Sequence, residues 1–370
     1  MTARRHALQL VLDALRPDAG GASGAERRRA ARDWDAAVRL ANAHYVGPAM
    51  YANLAASGRL GELPAELADY LALLHRCNRD RNAALKAQAD ELIAALNRVA
   101  LRPVLLKGGI SLYGGIYRDP AVRMIRDLDL LLPASTAERA IGVLRSLGYR
   151  PQALYPAGHH AYGDFVRAGA PGAVDLHFDL VDCAHVFRAA ELIDHAIPVR
   201  HDAIEFAVPS PTDCVLHHLL HAQIHHLGKY YRGVLELRQL YEFVALIRRH
   251  GAAIDLASIA WRLARHRLRT AFEAYVLSAH RLLDMGWLDR ADPSTGARLQ
   301  HLRCVAMLLY PGLEAVIMPV ANLQAAFAWH RMAALYGDHG RPLQWRLGHL
   351  GRYVRKSTPG LAFRRLLKAR

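Results

Sequence analysis

Apolar positions along this chain change their period twice, and each change marks a change in the type of element. Up to about residue 100 they recur at three- and four-residue spacings, which predicts helices over Ala7 to Leu15, Ala25 to Ala43, and Pro64 through Leu74 on to Val99. The joints between them are Gly20 to Gly24 and Ser57 to Pro64. From Arg102 the apolar residues come in short runs: VLLK within Pro103 to Lys107, then DLDLLL, DFVRA and AVDLHFDL, all read as strands. A helix between the second and third run is expected to start near Ser135 as N-cap and to end at Gly148. After Pro198 comes a further strand, AIEFAV, and then a Pro-Ser-Pro-Thr-Asp turn that opens a long helix from about Asp213. Helical periodicity then dominates. The pattern gives an N-terminal helical region (1–100), an α/β core (101–208), a C-terminal helical domain (209–340) and a final segment (341–370). Ala315 to His330 carries no charge, but Pro319, Asn322 and Gln324 interrupt it and it is short for a membrane span, so it is expected to be a buried helix.

Composition narrows the class. With 370 residues, 52% of them hydrophobic, the chain can bury a large core and is not a disordered protein. Its four cysteines, Cys77, Cys183, Cys214 and Cys304, are scattered without Cys-x-x-Cys spacing, which argues against a disulfide framework or a zinc knuckle and points to a reducing cytoplasm. The first residues, MTARRHALQLVLDALRPD, read as an amphipathic helix and lack the apolar stretch of a signal peptide. Net charge is +15, and after Asp338 there are nine Lys or Arg residues and no acid. That basic tail is either a solvated terminus or a contact for a polyanion such as nucleic acid, anionic lipid or an acidic substrate. No aromatic residues are interleaved at regular spacing, so sequence-specific nucleic-acid recognition is not indicated.

Candidate chemistry lies in VLLKGGISLYGGIYRDPAVRMIRDLDLLLP. Residues two apart on a strand share a side, so Asp127 and Asp129 present two carboxylates together while Leu128 and Leu130 face the core. Such a pair is costly to desolvate unless a cation neutralises it, and hard oxygen ligands suit Mg²⁺ or Mn²⁺. Gly108 and Gly109 lie between the strand ending at Lys107 and a helix predicted from about Ile110, where backbone N–H groups can cradle phosphate. The plainer alternative makes the two acids partners of Arg123 and Arg126 in salt bridges. His217, His221 and His225 recur at i, i+4 and i+8, with His218 and His226 alongside. Without an HExxH glutamate or a companion cysteine, this row is read first as a polar helix face hydrogen-bonded to the core.

Lys-Gly-Gly before a helix, followed by Arg-Asp-Leu-Asp-Leu-Leu, resembles the signature of the polymerase-β-type nucleotidyltransferase superfamily. The chain is most similar to the uncharacterised nucleotidyltransferase family of bacterial biosynthetic gene clusters. The likeness runs through WDAAVRLANAHYVGPAMYANL, the core motif, AVDLHFDL, and VLHHLLHAQIHHLGKYYRGVLELRQLYEF. It implies an α/β (α+β) fold, with a small mixed sheet flanked by helical regions, and transfer of a nucleoside monophosphate from an NTP, ATP by expectation. The acceptor would be a hydroxyl-type group on a small molecule, peptide or protein, as in tailoring of a peptide or polysaccharide product. Asp127 and Asp129 would bind two Mg²⁺ ions. Asp175 would complete the metal site, because Val174, Leu176 and Phe178 alternate with Asp175, His177 and Asp179; Asp179 is the second choice. Gly108, Gly109 and Ser111 would hold phosphate oxygens, and Lys107, Arg123 and Arg126 would neutralise them. His221 and His225 would line the nucleotide cleft, and Glu242 stands where the family often has aspartate. Terminal phosphoryl transfer on the same scaffold, and a silent nucleotide- or nucleic-acid-binding protein, are the competing expectations.

Overall fold

The protein is described by a computed structural model over residues 2–16, 34–155, 161–180, 185–286, 292–336, 344 and 346–351. Seven strands form one mixed sheet in the order β3-β4-β5-β2-β1-β7-β6. They are β1 (Val104–Leu105), β2 (Asp127–Leu131), β3 (Arg150–Leu154), β4 (Ala161–Val166), β5 (Ala173–His177), β6 (Ile197–His201) and β7 (Ile204–Val208). β2 runs parallel to β5 and β1 to β7, while the other neighbours are antiparallel. The chain is therefore a mixed α/β protein, as its apolar pattern predicts.

Alternation decides which face of the sheet goes where. Leu128 and Leu130 of β2 and Leu132 just after it, with Val174 and Leu176 of β5 and Phe165 of β4, belong to a core closed by Leu85, Leu92, Ile93 and Leu96 of the long helix Ala65–Arg98 and by Ile141 and Leu144 of helix Ala137–Ser146. Sliding β2 by one residue would expose those leucines, at roughly 1.5–3 kcal/mol each, and drive carboxylates into the core. The register is thus fixed with Asp127 and Asp129 on the opposite face, and the same holds for Asp175 and His177 of β5. Leu131, Val104 and Leu106 on that side join a second core, which combines N-terminal helices (Val11, Leu15, Met50) with C-terminal ones (Leu216, Phe243, Tyr275). The acid-bearing face consequently lies under the C-terminal helices.

Side-chain amides on the long helix hold the irregular parts of the core. Gln88 brackets Gly172 just before β5, Nε2 donating to its carbonyl at 2.8 Å and Oε1 accepting from its N–H at 3.1 Å. Asn97 does the same to Glu205 of β7. Asn78 and Asn82 donate to the carbonyls of Pro120, Ala121 and Arg123, in the loop that leads into β2. These carbonyls would otherwise be buried without a donor.

Several expectations are corrected. The helix predicted from Ile110 is a single turn, Gly108–Ser111, because Gly114 takes φ +76° and Asp119-Pro120 ends helical continuation; the chain then runs in turns to β2. Ser135 is not an N-cap: a 3₁₀ turn over Ala134–Thr136 precedes helix Ala137–Ser146, and no side chain caps it. The helix after the Pro-Ser-Pro-Thr-Asp turn starts earlier, at Pro211, where Ser210 accepts from the Asp213 N–H. The uncharged run is a helix, Leu313–Ala326, but not a buried one: Ala321 and Ala325 are covered while Val316 is 75% and Val320 58% exposed. Small side chains face the protein there, and the larger ones face out. Residues 17–33, with the start of the predicted Ala25 to Ala43 helix, lie outside the described residues, as does most of the basic segment 341–370. Among the described residues no helix is long and apolar enough to cross a membrane.

Asn82 donates to Pro120 at 2.6 Å and to Arg123 at 2.8 Å. Asn82→Ala is expected to destabilise the protein by about 1–3 kcal/mol, since the Pro120 carbonyl loses its donor and that of Arg123 keeps only Asn78. A urea midpoint unchanged from the wild type would show that this amide does not hold the loop.

Candidate active site

Two parallel strands set the acids. Asp129 of β2 stands opposite Asp175 of β5, and the next antiparallel strand places Asp164 of β4 opposite Asp175. On the other side of β2, Lys107 leaves β1 and points its ammonium at Asp129, with Nζ to Oδ1 at 2.6 Å. His177 is fully buried; its Nε2 lies 3.0 Å from Asp129 Oδ1 and 3.0 Å from Asp175 Oδ2. Asp129 itself is 2% exposed, so a carboxylate in the interior is held between an ammonium and an imidazole.

Backbone geometry shows how closely this turn is built. Lys107 takes φ +48°, ψ −120°, a conformation that glycine adopts readily and lysine does not, at a cost of order 1–3 kcal/mol. The next residue must be glycine because a Cβ on Gly108 would overlap the Arg123 guanidinium and Ile125. Strain at Lys107 is offset by its ion pair, which is shielded from water.

Electrostatics follow from burial and from these partners. Burial alone would raise the Asp129 pKa, but Lys107 and His177 outweigh it and hold the carboxyl below its ordinary range. Burial likewise opposes the charge on Lys107 and on His177, yet the neighbouring aspartates raise both pKa values. Asp127 is raised, by burial first and then by repulsion from Asp129. The Tyr155 hydroxyl donates to Asp164 Oδ2 at 2.8 Å, and that bond pushes its pKa up to about 12.

A cavity of about 370 Å³ opens over these groups. Its floor carries Asp127, Asp129, Asp164 and Asp175, and its roof comes from helices Pro211–Gln223, His225–Arg232 and Leu237–His250. His217, His218 and His221 line it from the first helix, Lys229 from the second, and Arg238, Gln239 and Glu242 from the third, with Glu236 at the N-cap of the third. Burial, with the Lys107 charge next, pulls the His217 pKa down to about 3 and His221 well below its ordinary value, so both rings are neutral near pH 7. His218 hydrogen-bonds Tyr275. Arg123 forms a buried ion pair with Glu242, Nε to Oε2 at 2.9 Å.

Of the residues singled out by sequence, Lys107, Gly108, Arg123, Arg126, Asp127, Asp129, Asp175 and His221 line the cavity. Gly109 and Ser111 are buried in the turn behind it, with Ser111 Oγ lacking a hydrogen-bond partner. His225 follows a break at Ile224 and stacks on His221 at 5.4 Å between ring centres. Asp179 accepts from the N–H groups of Leu180 and Ala189 and serves the backbone. Asp164, His177, His217, Lys229 and Arg238 were not picked out as site residues. Alternation in AYGDFV and AVDLH carried a signal for Asp164 and His177, because each shares a strand face with an acid or an aromatic. Lys229 and Arg238 had none, since they reach the cavity only through the packing of helices.

Among the described residues Asp129, Asp175 and His177 form a group whose ligand atoms all lie within 4.8 Å of one another. Asp175 Oδ1 is buried without a hydrogen-bond partner, which leaves an anionic oxygen for a cation to take up. With Asp127 and Asp164 nearby on the same wall, the donor set is dominated by carboxylate oxygen and fits a hard divalent ion.

His177 yields a pH test. Its pKa is raised on folding, so its stabilisation is fully present below the ordinary imidazole value of ~6.5 and is lost as pH rises through the higher folded value. The difference in unfolding free energy between wild type and His177→Asn should therefore be largest in mild acid and narrow towards alkaline pH. Urea denaturation at a series of pH values measures it, and a gap independent of pH would contradict the assignment.

The same residues carry a family likeness. No curated protein matches the chain. A sequence model of a family described as uncharacterised nucleotidyltransferase matches residues 30–284, a span that includes the strained lysine turn, the three acids of β2 and β5, and the helices that roof the cavity. The chain belongs to that nucleotidyltransferase family.

Proposed function

We propose that the protein transfers a nucleoside monophosphate from an NTP, with ATP the expected donor, to a hydroxyl-type acceptor, using a divalent cation, Mg²⁺ or Mn²⁺. The observation that carries this reading is the alignment of Asp129 and Asp175 on adjacent parallel strands, beside a Lys-Gly-Gly turn, in a cavity roofed by neutral imidazoles and by Lys229 and Arg238. Aspartates gathered on the sheet, with Lys107, Arg126, Lys229 and Arg238 around the same cavity, suit a metal-bound polyphosphate better than either partner alone.

In this reading Asp127, Asp129 and Asp175 hold the cation, which would supply charge neutralisation on the phosphate undergoing transfer and on the leaving pyrophosphate. Asp175, whose Oδ1 is unpartnered, orients the acceptor hydroxyl or takes its proton. Lys107 and Arg126 face phosphate oxygens from the β1 end. The Gly108 N–H is the turn's candidate phosphate donor, because that of Gly109 already donates to the Leu106 carbonyl, and Ser111 is buried behind the turn. Arg123 reaches the cavity already paired with Glu242, so it contributes chiefly by keeping the Gly108 turn closed. His221, with His225 stacked behind it, offers a neutral ring to the nucleotide. A role in tailoring a peptide or polysaccharide product, and a contact between the basic C-terminal segment and a polyanion, extend the reading.

The position of the label decides the reaction. Incubation with α-labelled NTP and divalent cation, across a panel of hydroxyl-bearing small molecules and peptides, should place label in the acceptor and release pyrophosphate. γ-label appearing there instead would make the protein a phosphoryl transferase. Asp127→Asn, Asp129→Asn and Asp175→Asn should each cut transfer by roughly a hundredfold or more, the scale of losing one preorganised charge-stabilising group. They should also blunt the rise in melting temperature that NTP and Mg²⁺ give the wild type.

A further inference from the structure

Strand order lays the polar groups of the cavity out in a row. Lys107 and Gly108 leave β1, Asp129 stands on β2, Asp175 on β5 and Asp164 on β4, with the strands adjacent in that sequence. Phosphoryl and nucleotidyl transfers run in line, so the attacking and the leaving oxygens lie on opposite sides of the phosphorus. On the reading given above, on which this inference rests, the lysine and glycine end receives the polyphosphate. The β4 end is then left for the acceptor.

The chemistry of that end is one-sided. Asp164 takes a hydrogen bond from Tyr155, and among the described residues it has no ion-pair partner, in contrast to Asp129 with its lysine. Asp175 Oδ1, next to it on β5, is buried and lacks a hydrogen-bond partner. Both carboxylates accept and neither donates. Phosphate oxygens cannot satisfy them; with the cation on Asp175, Asp164 is left for hydroxyl and ammonium groups.

We propose that Asp164, supported by Tyr155, forms the acceptor subsite and selects a hydroxyl-bearing molecule that also carries an ammonium group, an amino alcohol or amino sugar. A cationic acceptor is preferred over its neutral counterpart, and a carboxylated one is rejected by repulsion from Asp164.

Glucosamine, glucose and glucuronate share one ring and differ in charge, so they serve as probes. Ligand-observed NMR on the full chain, with Mg²⁺ and a non-hydrolysable NTP analogue, should rank them glucosamine, then glucose, then glucuronate. Asp164→Asn preserves side-chain volume and a bond to Tyr155. It should weaken glucosamine about tenfold, the scale of one charge-assisted hydrogen bond, while leaving glucose nearly unchanged. The wild-type ranking is decisive by itself should that variant fail to fold. Glucuronate binding as tightly as glucosamine, an unaltered affinity in Asp164→Asn, or binding of none of the three would overturn the subsite. Loss of the NTP and Mg²⁺ melting shift in the wild type would instead count against the nucleotidyl reading, and so the two failures are separable.

Discussion

One buried carboxylate constrains much of this molecule. Asp129 cannot leave the interior, because the leucines on either side of it in β2 anchor the strand in the core, and it cannot stay there uncompensated. Its neighbours are arranged accordingly. Lys107 accepts an unfavourable backbone conformation to bring its ammonium within 2.6 Å, and His177, fully buried on the parallel strand, closes the other side. Removing Lys107 would leave the buried carboxylate with the imidazole alone, and breaking a buried ion pair typically costs about 3–5 kcal/mol. The same requirement extends outwards. Gly108 must lack a side chain so that Arg123 can lie across the turn, and Arg123 in turn needs Glu242 from a helix far along the chain.

That chain of dependences explains why the C-terminal helices are integral to the site. Helix Leu237–His250 supplies Glu242, and helix Pro211–Gln223 supplies three neutral histidines whose low pKa values come mainly from burial. Neutral rings are tolerated beside Lys107, whereas imidazolium ions there would add to a concentration of positive charge. On the opposite face of the sheet the long helix contributes apolar side chains and the amides of Asn78, Asn82, Gln88 and Asn97, which serve backbone groups. One face of the sheet is devoted to stability and the other to chemistry, and the two-residue period of the strands is what separates them.

Sequence patterns disclosed the parts whose signal is local. Asp127-Leu128-Asp129 and Val174-Asp175-Leu176 announce alternating strands, and the double glycine announces a tight turn, so acids and turn could be named without coordinates. The one-turn helix after Gly108 was harder to foresee, because Ile110 to Tyr113 are adequate helix formers and only Gly114 and the Asp119-Pro120 step stop them. Cavity walls built by helix packing left no local trace: Lys229 and Arg238 look like any surface cation in an arginine-rich chain. Asn78 and Asn82 are similarly opaque. In the run CNRDRN they resemble solvent-facing residues, yet both are buried, because a loop with carbonyls to satisfy lies on that side of the helix. The uncharged run near residue 320 misled for the converse reason, since hydropathy reports what a segment is able to bury and not whether another surface is there to cover it.

Net charge is a poor guide to this site, and the reason is instructive. The chain carries +15, which alone would suggest a positively charged cleft for an anion. The cavity instead holds six carboxylates, Asp127, Asp129, Asp164, Asp175, Glu236 and Glu242, against five cations, Lys107, Arg123, Arg126, Lys229 and Arg238. Its sum is near zero while its distribution is uneven: four aspartates crowd the sheet, and all five basic side chains come from the turn, the loop or the roof, which also carries Glu236 and Glu242. A bare polyphosphate would meet repulsion from the sheet, and a bare divalent cation would leave the basic groups of the cavity without a ligand of their own. A complex of the two, with the metal towards the strands and the phosphates towards β1, satisfies both walls together. Discrimination of that kind comes from separating the charges across the cavity and owes little to their total.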